Sequence, residues 1–269
     1  MPEGPEIKKA VDFLNTRFEI SNKIMSFEFL DGRYLKKKEP DNWSNLSFPL
    51  NIDKANCKGK FIYVNTQDPE VSLWITFGLS GYWSITKEKY CKFKVTLENN
   101  QKLYYNDKLG YGTLKVCTSK KELDKKLNQL GLDILDKNNT KDNYVKLIRK
   151  KSTKSNKEIG LILMDQKLTC GCGNYIRADA LYLSKINPFR KINDIMDNEL
   201  ENIWVNLQKV AFFNYNNILG IKHGILEKDE LHYLAHAAVY GKSYDIDKNQ
   251  VETKKLGDRT VHWCPVIQN

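Results

Sequence analysis

The chain has 269 residues, with 43 Lys+Arg against 33 Asp+Glu and a formal charge of +10 at pH 7. Its 41% apolar and 11% aromatic content excludes an intrinsically disordered chain, and no run approaches the roughly 18 consecutive apolar residues of a membrane span. At roughly 100–200 residues per domain, the length predicts two compact domains, each able to bury its own core.

The first twenty residues contain no signal-peptide apolar block, so an intracellular, soluble protein with no membrane partner is expected, nuclear or cytoplasmic according to its host. Six scattered cysteines do not form the pattern of a disulfide framework, and reduced thiols are expected. Only six of the 43 basic residues are arginines (17, 33, 149, 177, 190 and 259). A lysine excess of this kind equally reflects A/T-rich codons or a solubility device, so charge alone carries little weight as a sign of a polyanion partner.

Along residues 6–18, Ile7, Ala10, Val11, Leu14 and Phe18 recur at helical spacing and predict a first amphipathic helix. From about 23 to 116 the pattern changes to short β-type runs, FIYVN, VSLWITF, YWSIT, KFKVTL, KLYYN and TLKVC, separated by Gly, Asn and Asp turn signals. Such a series predicts a β-sandwich or barrel. Past about 120 the helical period returns, with Leu123, Leu127 and Leu130, then 161–168, a glycine break, 175–184 and 200–219. The linker between the two domains is expected at 136–143 or 151–157. Beyond Tyr240, alternation around Gly257-Asp258 predicts a terminal two-residue hairpin.

Three features carry chemistry. Met1-Pro2-Glu3-Gly4-Pro5-Glu6 places two carboxylates beside a proline that becomes terminal once Met1 is removed. A terminal secondary amine with a pKa near ~8 is partly unprotonated at neutral pH, so it can attack an electrophilic sugar carbon and form an iminium. Glu3 beside it can give and take protons. The second feature is the run from Leu163 to Arg177, in which Gly171 and Gly173 lead into a helix N-terminus and are expected to leave backbone N–H groups open to a phosphate. The third is Arg259, just past the terminal hairpin turn.

MPEGPE at the start, Cys57-Lys58-Gly59-Lys60-Phe61 with Phe77-Gly78-Leu79-Ser80-Gly81, LMDQ…GCGNYIRADALY, and GDRTVHWCP at the end together resemble the formamidopyrimidine-DNA glycosylase and endonuclease VIII family over essentially the whole chain. The resemblance implies an α+β multidomain protein. Its parts would be an N-terminal β-sandwich with the first helix (1–120), a helix-two-turns-helix DNA-binding domain (121–240) and a C-terminal β-hairpin finger (241–269). It implies a bifunctional DNA glycosylase and abasic-site lyase of base excision repair that forms a Schiff base through Pro2 and cleaves the strand by β/δ-elimination. Glu3 would be the general acid, Glu6 a supporting carboxylate and Lys60 a phosphate-binding turn lysine. Asn174 would be a phosphate contact and Arg259 the finger arginine. Leu79, Leu109 and Tyr111 would fill the gap left by a flipped nucleotide. Damaged DNA would be the partner, the chain is expected to act as a monomer, and no cofactor is implied.

Two departures from the family pattern stand out. The segment 107–112 lacks the paired arginines seen in many relatives. The region 240–268 offers only His262 and Cys264 as metal ligands, too few for a tetrahedral site, so a zincless, endonuclease VIII-like finger is expected. His232 and His236 stand at i, i+4 but are expected to be ordinary helix positions, and Cys170 and Cys172 small turn-packing residues. The short stretch 220–226 leaves little chain to cap a flipped oxidised purine and tilts the expectation toward oxidised pyrimidines and ring-opened or hydantoin lesions. Two rival readings are a non-catalytic damaged-DNA-binding protein on the same scaffold and a helix-turn-helix regulator. The regulator should carry a recognition helix rich in base-reading side chains, whereas 175–184 has one arginine.

Overall fold

The computed structural model describes residues 1–36, 38–223 and 238–269, with 152–153 and 217–223 described by backbone alone. His232, His236 and the helix expected from about 227 lie outside the described residues, as does the end of the 220–226 stretch. The chain divides into two compact units. The first comprises residues 1–2 and 6–129, and the second residues 3–5 and 130–269.

From Glu6 onward, α1 (Gly4–Phe18) belongs to the first unit, and it buries Ile7, Val11, Leu14 and Phe18 as its heptad-like spacing predicts. The strands are β1 (Lys23–Phe29), β2 (Leu50–Lys58), β3 (Phe61–Thr66), β4 (Ser72–Thr76), β5 (Gly81–Ser84), β6 (Cys91–Leu97), β7 (Lys102–Asp107) and β8 (Thr113–Cys117). A one-turn helix, α2 (Arg33–Lys36), follows β1. Six of the eight strands fall on the six β-type runs of the sequence.

These strands pair antiparallel in the order β5-β7-β6-β1-β2-β3-β4-β8. β1 and β2 share only two paired positions, Lys23↔Asn51 and Ile24↔Leu50, and irregularities in register interrupt β1 after Ile24 and β2 after Ile52. Bulges bend a strand and sharpen its twist, so the sheet folds over there into the two leaves of a sandwich. Between the leaves, Phe93, Val95, Leu97 and Leu103 meet Ile62, Val64, Leu73, Ile75, Leu114 and Val116 in one core, which also takes the apolar face of α1. The strict alternation of buried and part-exposed residues along β6 is what period-2 geometry demands of a half-covered strand. The helix α3 (Lys120–Gln129) closes this unit.

The second unit contains α4 (Lys141–Ser152), α5 (Ile159–Ile162), α6 (Asn174–Leu183) and the long α7 (Asp197–His223). A small parallel pair joins β9 (Leu132–Asp133) to β10 (Thr169–Cys170). Ile134, Tyr144, Ile148, Leu163, Ile176, Leu181, Ile203, Trp204 and Leu207 belong to its core.

The two linker candidates fall inside this unit. Across 136–143, the Asn139 amide donates to Asp133 O at 2.9 Å and the Trp204 indole to Asn139 O at 3.3 Å, while Tyr144 stacks on Trp204 at 4.7 Å. Lys157, at the end of 151–157, accepts the Ile192 N–H at 2.9 Å through its carbonyl. The helical run expected over 161–168 is also shorter than its apolar pattern suggests. The helix ends at Ile162, and beyond it Asp165 Oδ1 accepts the Lys167 N–H at 2.9 Å in a side-chain turn of the kind that competes with helix.

The chain ends in the hairpin β11 (Glu252–Leu256) and β12 (Arg259–Trp263), with Leu256 opposite Arg259 across Gly257-Asp258. Gly257 has φ +63°, the conformation a two-residue turn with glycine in its first central position requires. Leu256, Val261 and Trp263 are buried against Leu161 and Phe189, the Phe189 and Trp263 rings meeting edge to face at 4.9 Å. Among the described residues, no helix is long and apolar enough to cross a membrane.

Candidate active site and nucleic-acid interface

In the second unit the structure joins the N-terminal segment to the glycine-rich turn. Glu3 is 1% exposed. Its carboxylate accepts the Tyr175 N–H at 3.0 Å and the Ile176 N–H at 3.4 Å, both from the first turn of α6. The Gly4 N–H donates to Gly171 O at 2.9 Å. A helix N-terminus presents unpaired N–H groups and a positive dipole end, and a carboxylate is a natural occupant.

This corrects the sequence expectation that the turn leaves its N–H groups open to a phosphate. Tyr175 and Ile176 serve Glu3, and the Gly171 N–H donates to Gln166 Oε1 at 3.0 Å. Gln166 also donates through Nε2 to Cys172 O at 2.8 Å, which clips the turn shut. Cys170 and Cys172 are fully buried here. Gly173 makes room for the Glu3 carboxylate, since a β-carbon at this position would overlap it and force Glu3 to shift.

Asn174 begins α6 and ties it to the terminal hairpin, its Nδ2 donating to Thr260 O at 2.9 Å. Its Oδ1 accepts a hydrogen bond from the Arg177 guanidinium. Arg177, noted in the sequence only as the one arginine of 175–184, is fully buried and donates through Nη1 to Gly160 O at 3.0 Å. Burial pushes its guanidinium below the ordinary range and the neighbouring Arg259 charge acts in the same sense, while Cys172 and Glu3 oppose the shift. The one hint in the sequence was the rarity of arginine.

Arg259 starts β12 and is about 40% exposed, 3.6 Å from its neighbour Asp258. Beyond it, His262 packs edge-on against Tyr240 at 4.9 Å, and burial together with the Arg177 charge pushes its imidazole below the usual histidine value. Among the described residues, no cluster of three or more His, Cys, Asp or Glu is arranged to hold a metal.

In the first unit, Pro2 is half-buried two positions before the start of α1, and Glu6 stands in that helix's first turn. Lys60 occupies the two-residue turn between β2 and β3, where Lys58 pairs with Phe61 and Gly59 has φ +55°. The structure also brings Leu79, Leu109 and Tyr111 together on two adjoining loops. Gly78 makes this possible: its φ is +56°, and a β-carbon there would lie 2.7 Å from the Tyr111 backbone. Leu109 and Tyr111, two large apolar side chains on one loop, are 53% and 60% exposed. Ser80 and Asp107, which bind these loops from beneath, were not singled out in the sequence.

Comparison with known proteins agrees with this geometry. Residues 1–114 match the formamidopyrimidine-DNA glycosylase N-terminal domain, and residues 130–212 match the formamidopyrimidine-DNA glycosylase H2TH domain. A formamidopyrimidine-DNA glycosylase of Prochlorococcus marinus (strain MIT 9215) is 30% identical over 231 residues, covering 80% of this chain and 76% of the relative. One from Ureaplasma parvum serovar 3 is 26% identical over 283 residues, the whole of both chains. The crystal structure of the Lactococcus lactis enzyme, non-covalently bound to DNA containing an abasic site, superposes with a TM-score of 0.80 at 22% identity over 99% of each chain. With its sandwich, its H2TH helices and its terminal hairpin, the chain belongs to the formamidopyrimidine-DNA glycosylase family, a family of DNA glycosylases of base excision repair.

Proposed function

We propose that the protein is a bifunctional DNA glycosylase and abasic-site lyase that excises oxidised bases through a Schiff base on Pro2. The observation that carries this reading is the fixed position of Glu3, one peptide bond from Pro2 and pinned to the N-terminus of α6 by two backbone N–H groups. A non-catalytic DNA-binding scaffold has no need to bury a carboxylate beside a potential terminal imino acid.

In this reading the unprotonated Pro2 nitrogen attacks C1′ of the damaged nucleotide, the C1′–base bond breaks, and its electron pair leaves with the base. The sugar ring opens between C1′ and O4′ and an iminium forms. Glu3 supplies a proton to the leaving atoms, and Glu6 supports the N-terminal segment. Removal of a C2′ proton then expels the 3′ phosphate, and a second elimination expels the 5′ phosphate. Lys60, Asn174 and Arg259 hold DNA phosphates, while Leu79, Leu109 and Tyr111 occupy the space vacated by the flipped nucleotide.

The finger is proposed to fold without zinc. Its support is the apolar anchoring of the hairpin by Leu256, Val261 and Trp263, and a stretch, 240–268, that offers only His262 and Cys264 as His or Cys ligands, too few for a tetrahedral site. Elemental analysis is expected to find zinc far below one equivalent.

The proposed substrates are oxidised pyrimidines and ring-opened or hydantoin products, on the ground of the short 220–226 stretch. The relatives are named for a ring-opened lesion. Single-lesion duplexes incubated with the protein and resolved on a denaturing gel test the reading. Strand cleavage at these lesions ahead of 8-oxoguanine is expected, and absence of cleavage at all of them would overturn it.

A further inference from the structure

Resting on the reading that Leu79, Leu109 and Tyr111 enter the duplex, we propose that Ser80 and Asp107 are positioning residues that lock the two loops carrying them into one pre-formed wedge. The Ser80 hydroxyl works in both directions. It donates to Asp107 Oδ1 at 2.5 Å and accepts the Leu109 N–H at 2.9 Å. Asp107, 1% exposed, accepts the Gly112 N–H at 2.7 Å through its other oxygen. One buried carboxylate and one hydroxyl thus hold the backbone on both sides of Gly110, and Arg33 donates to Gly110 O itself at 2.7 Å.

The floor beneath is equally fixed. The Tyr105 hydroxyl donates to Thr76 O at 3.2 Å, and the Thr113 N–H donates to Thr76 Oγ1 at 3.2 Å. Both Gly78 and Gly112 lie where a β-carbon would collide with neighbouring atoms. The polar groups of the loops are therefore satisfied inward, while Leu109 and Tyr111 project into solvent. An exposed loop otherwise loses conformational entropy when it enters a duplex, and a loop already held in its bound form avoids that cost.

Binding to a duplex carrying a tetrahydrofuran abasic analogue tests the proposal through a double-mutant cycle. Ser80→Ala removes the hydroxyl from both partners and is expected to weaken binding roughly five- to tenfold. In a Leu79→Ala/Leu109→Ala/Tyr111→Ala background, where no wedge remains to position, the same change is expected to cost less than about twofold. Ser80→Thr keeps the hydroxyl and is expected to stay within about twofold of wild type. A 2-aminopurine placed opposite the analogue reads wedge insertion directly, and its fluorescence change should shrink in Ser80→Ala. An equal loss in both backgrounds, or no loss in the wild-type background, would overturn the proposal. A wild-type protein that does not distinguish the analogue from undamaged duplex would instead overturn the functional reading beneath it.

Discussion

Gly173 and Glu3 stand so close that a β-carbon at position 173 would overlap the Glu3 carboxylate. The backbone at Gly173 is extended, with φ −135°, so an alanine there meets no conformational penalty and its cost is the collision alone. Gly173→Ala is expected to destabilise the fold by about 1–3 kcal/mol, the usual cost of overpacking, and to reduce base excision by displacing Glu3. In a Glu3→Ala background the stability cost should largely disappear. Chemical denaturation of the four proteins in this cycle measures it, and an undiminished cost without Glu3 would place the clash elsewhere.

Glu3→Gln keeps one acceptor oxygen, enough for the closer Tyr175 N–H, while its NH2 gives up the longer Ile176 bond, and it removes the carboxylic proton. Base excision should fall by ~10²–10⁴, the usual contribution of a general acid, and cleavage at a preformed abasic site should fall much less. Single-turnover rates on the two substrates decide the matter. Equal losses would make Glu3 an orienting group for Pro2.

Much of this was legible in the sequence because the patterns are local. The period-2 runs located six strands, the spacing Ile7, Val11, Leu14 and Phe18 marked α1, and Gly257-Asp258 marked the hairpin. The occupant of the glycine-rich turn was not legible: Gly171 and Gly173 signal an open helix N-terminus, but the group that fills it, Glu3, lies about 170 positions away in the chain. Ser80, Asp107 and Arg177 escaped notice for the same reason. Ser80 and Arg177 act by hydrogen bonds to backbone atoms of distant segments, and Asp107 through the Gly112 N–H of its own loop and the distant Ser80 hydroxyl; backbone partners leave no mark in sequence.

Salt dependence separates the phosphate contacts. Lys60→Ala and Arg259→Ala should each lower the slope of log affinity against log salt by roughly 0.9 on duplex DNA, one counterion per lost charge. Asn174→Ala should leave the slope unchanged yet weaken binding, because it frees Thr260 O in the hairpin and takes an acceptor from the buried Arg177. A salt series on an abasic-analogue duplex measures all three. Unchanged slopes in the Lys60 and Arg259 variants would remove both residues from the phosphates.

His262 gives the hairpin a pH dependence of definite sign. Burial and the Arg177 charge hold its folded-state pKa below the ordinary value, and the unfolded chain titrates near ~6.5. As pH falls below that, the unfolded state takes up a proton that the folded state refuses, so stability present above pH ~6.5 is lost on acidification. The melting-temperature advantage of wild type over His262→Gln should therefore shrink from pH 7 toward pH 5. An advantage that stays constant or grows would show that His262 is not held neutral.

The central claim is that the Pro2 nitrogen forms the covalent intermediate, and borohydride trapping tests it most directly. Protein whose N-terminus is verified by mass spectrometry to begin at Pro2 should yield a stable adduct with DNA carrying an abasic site. The same protein with Met1 retained should yield none, because its proline nitrogen is locked in a peptide bond. An adduct of equal yield from the Met1-retaining form would contradict the account.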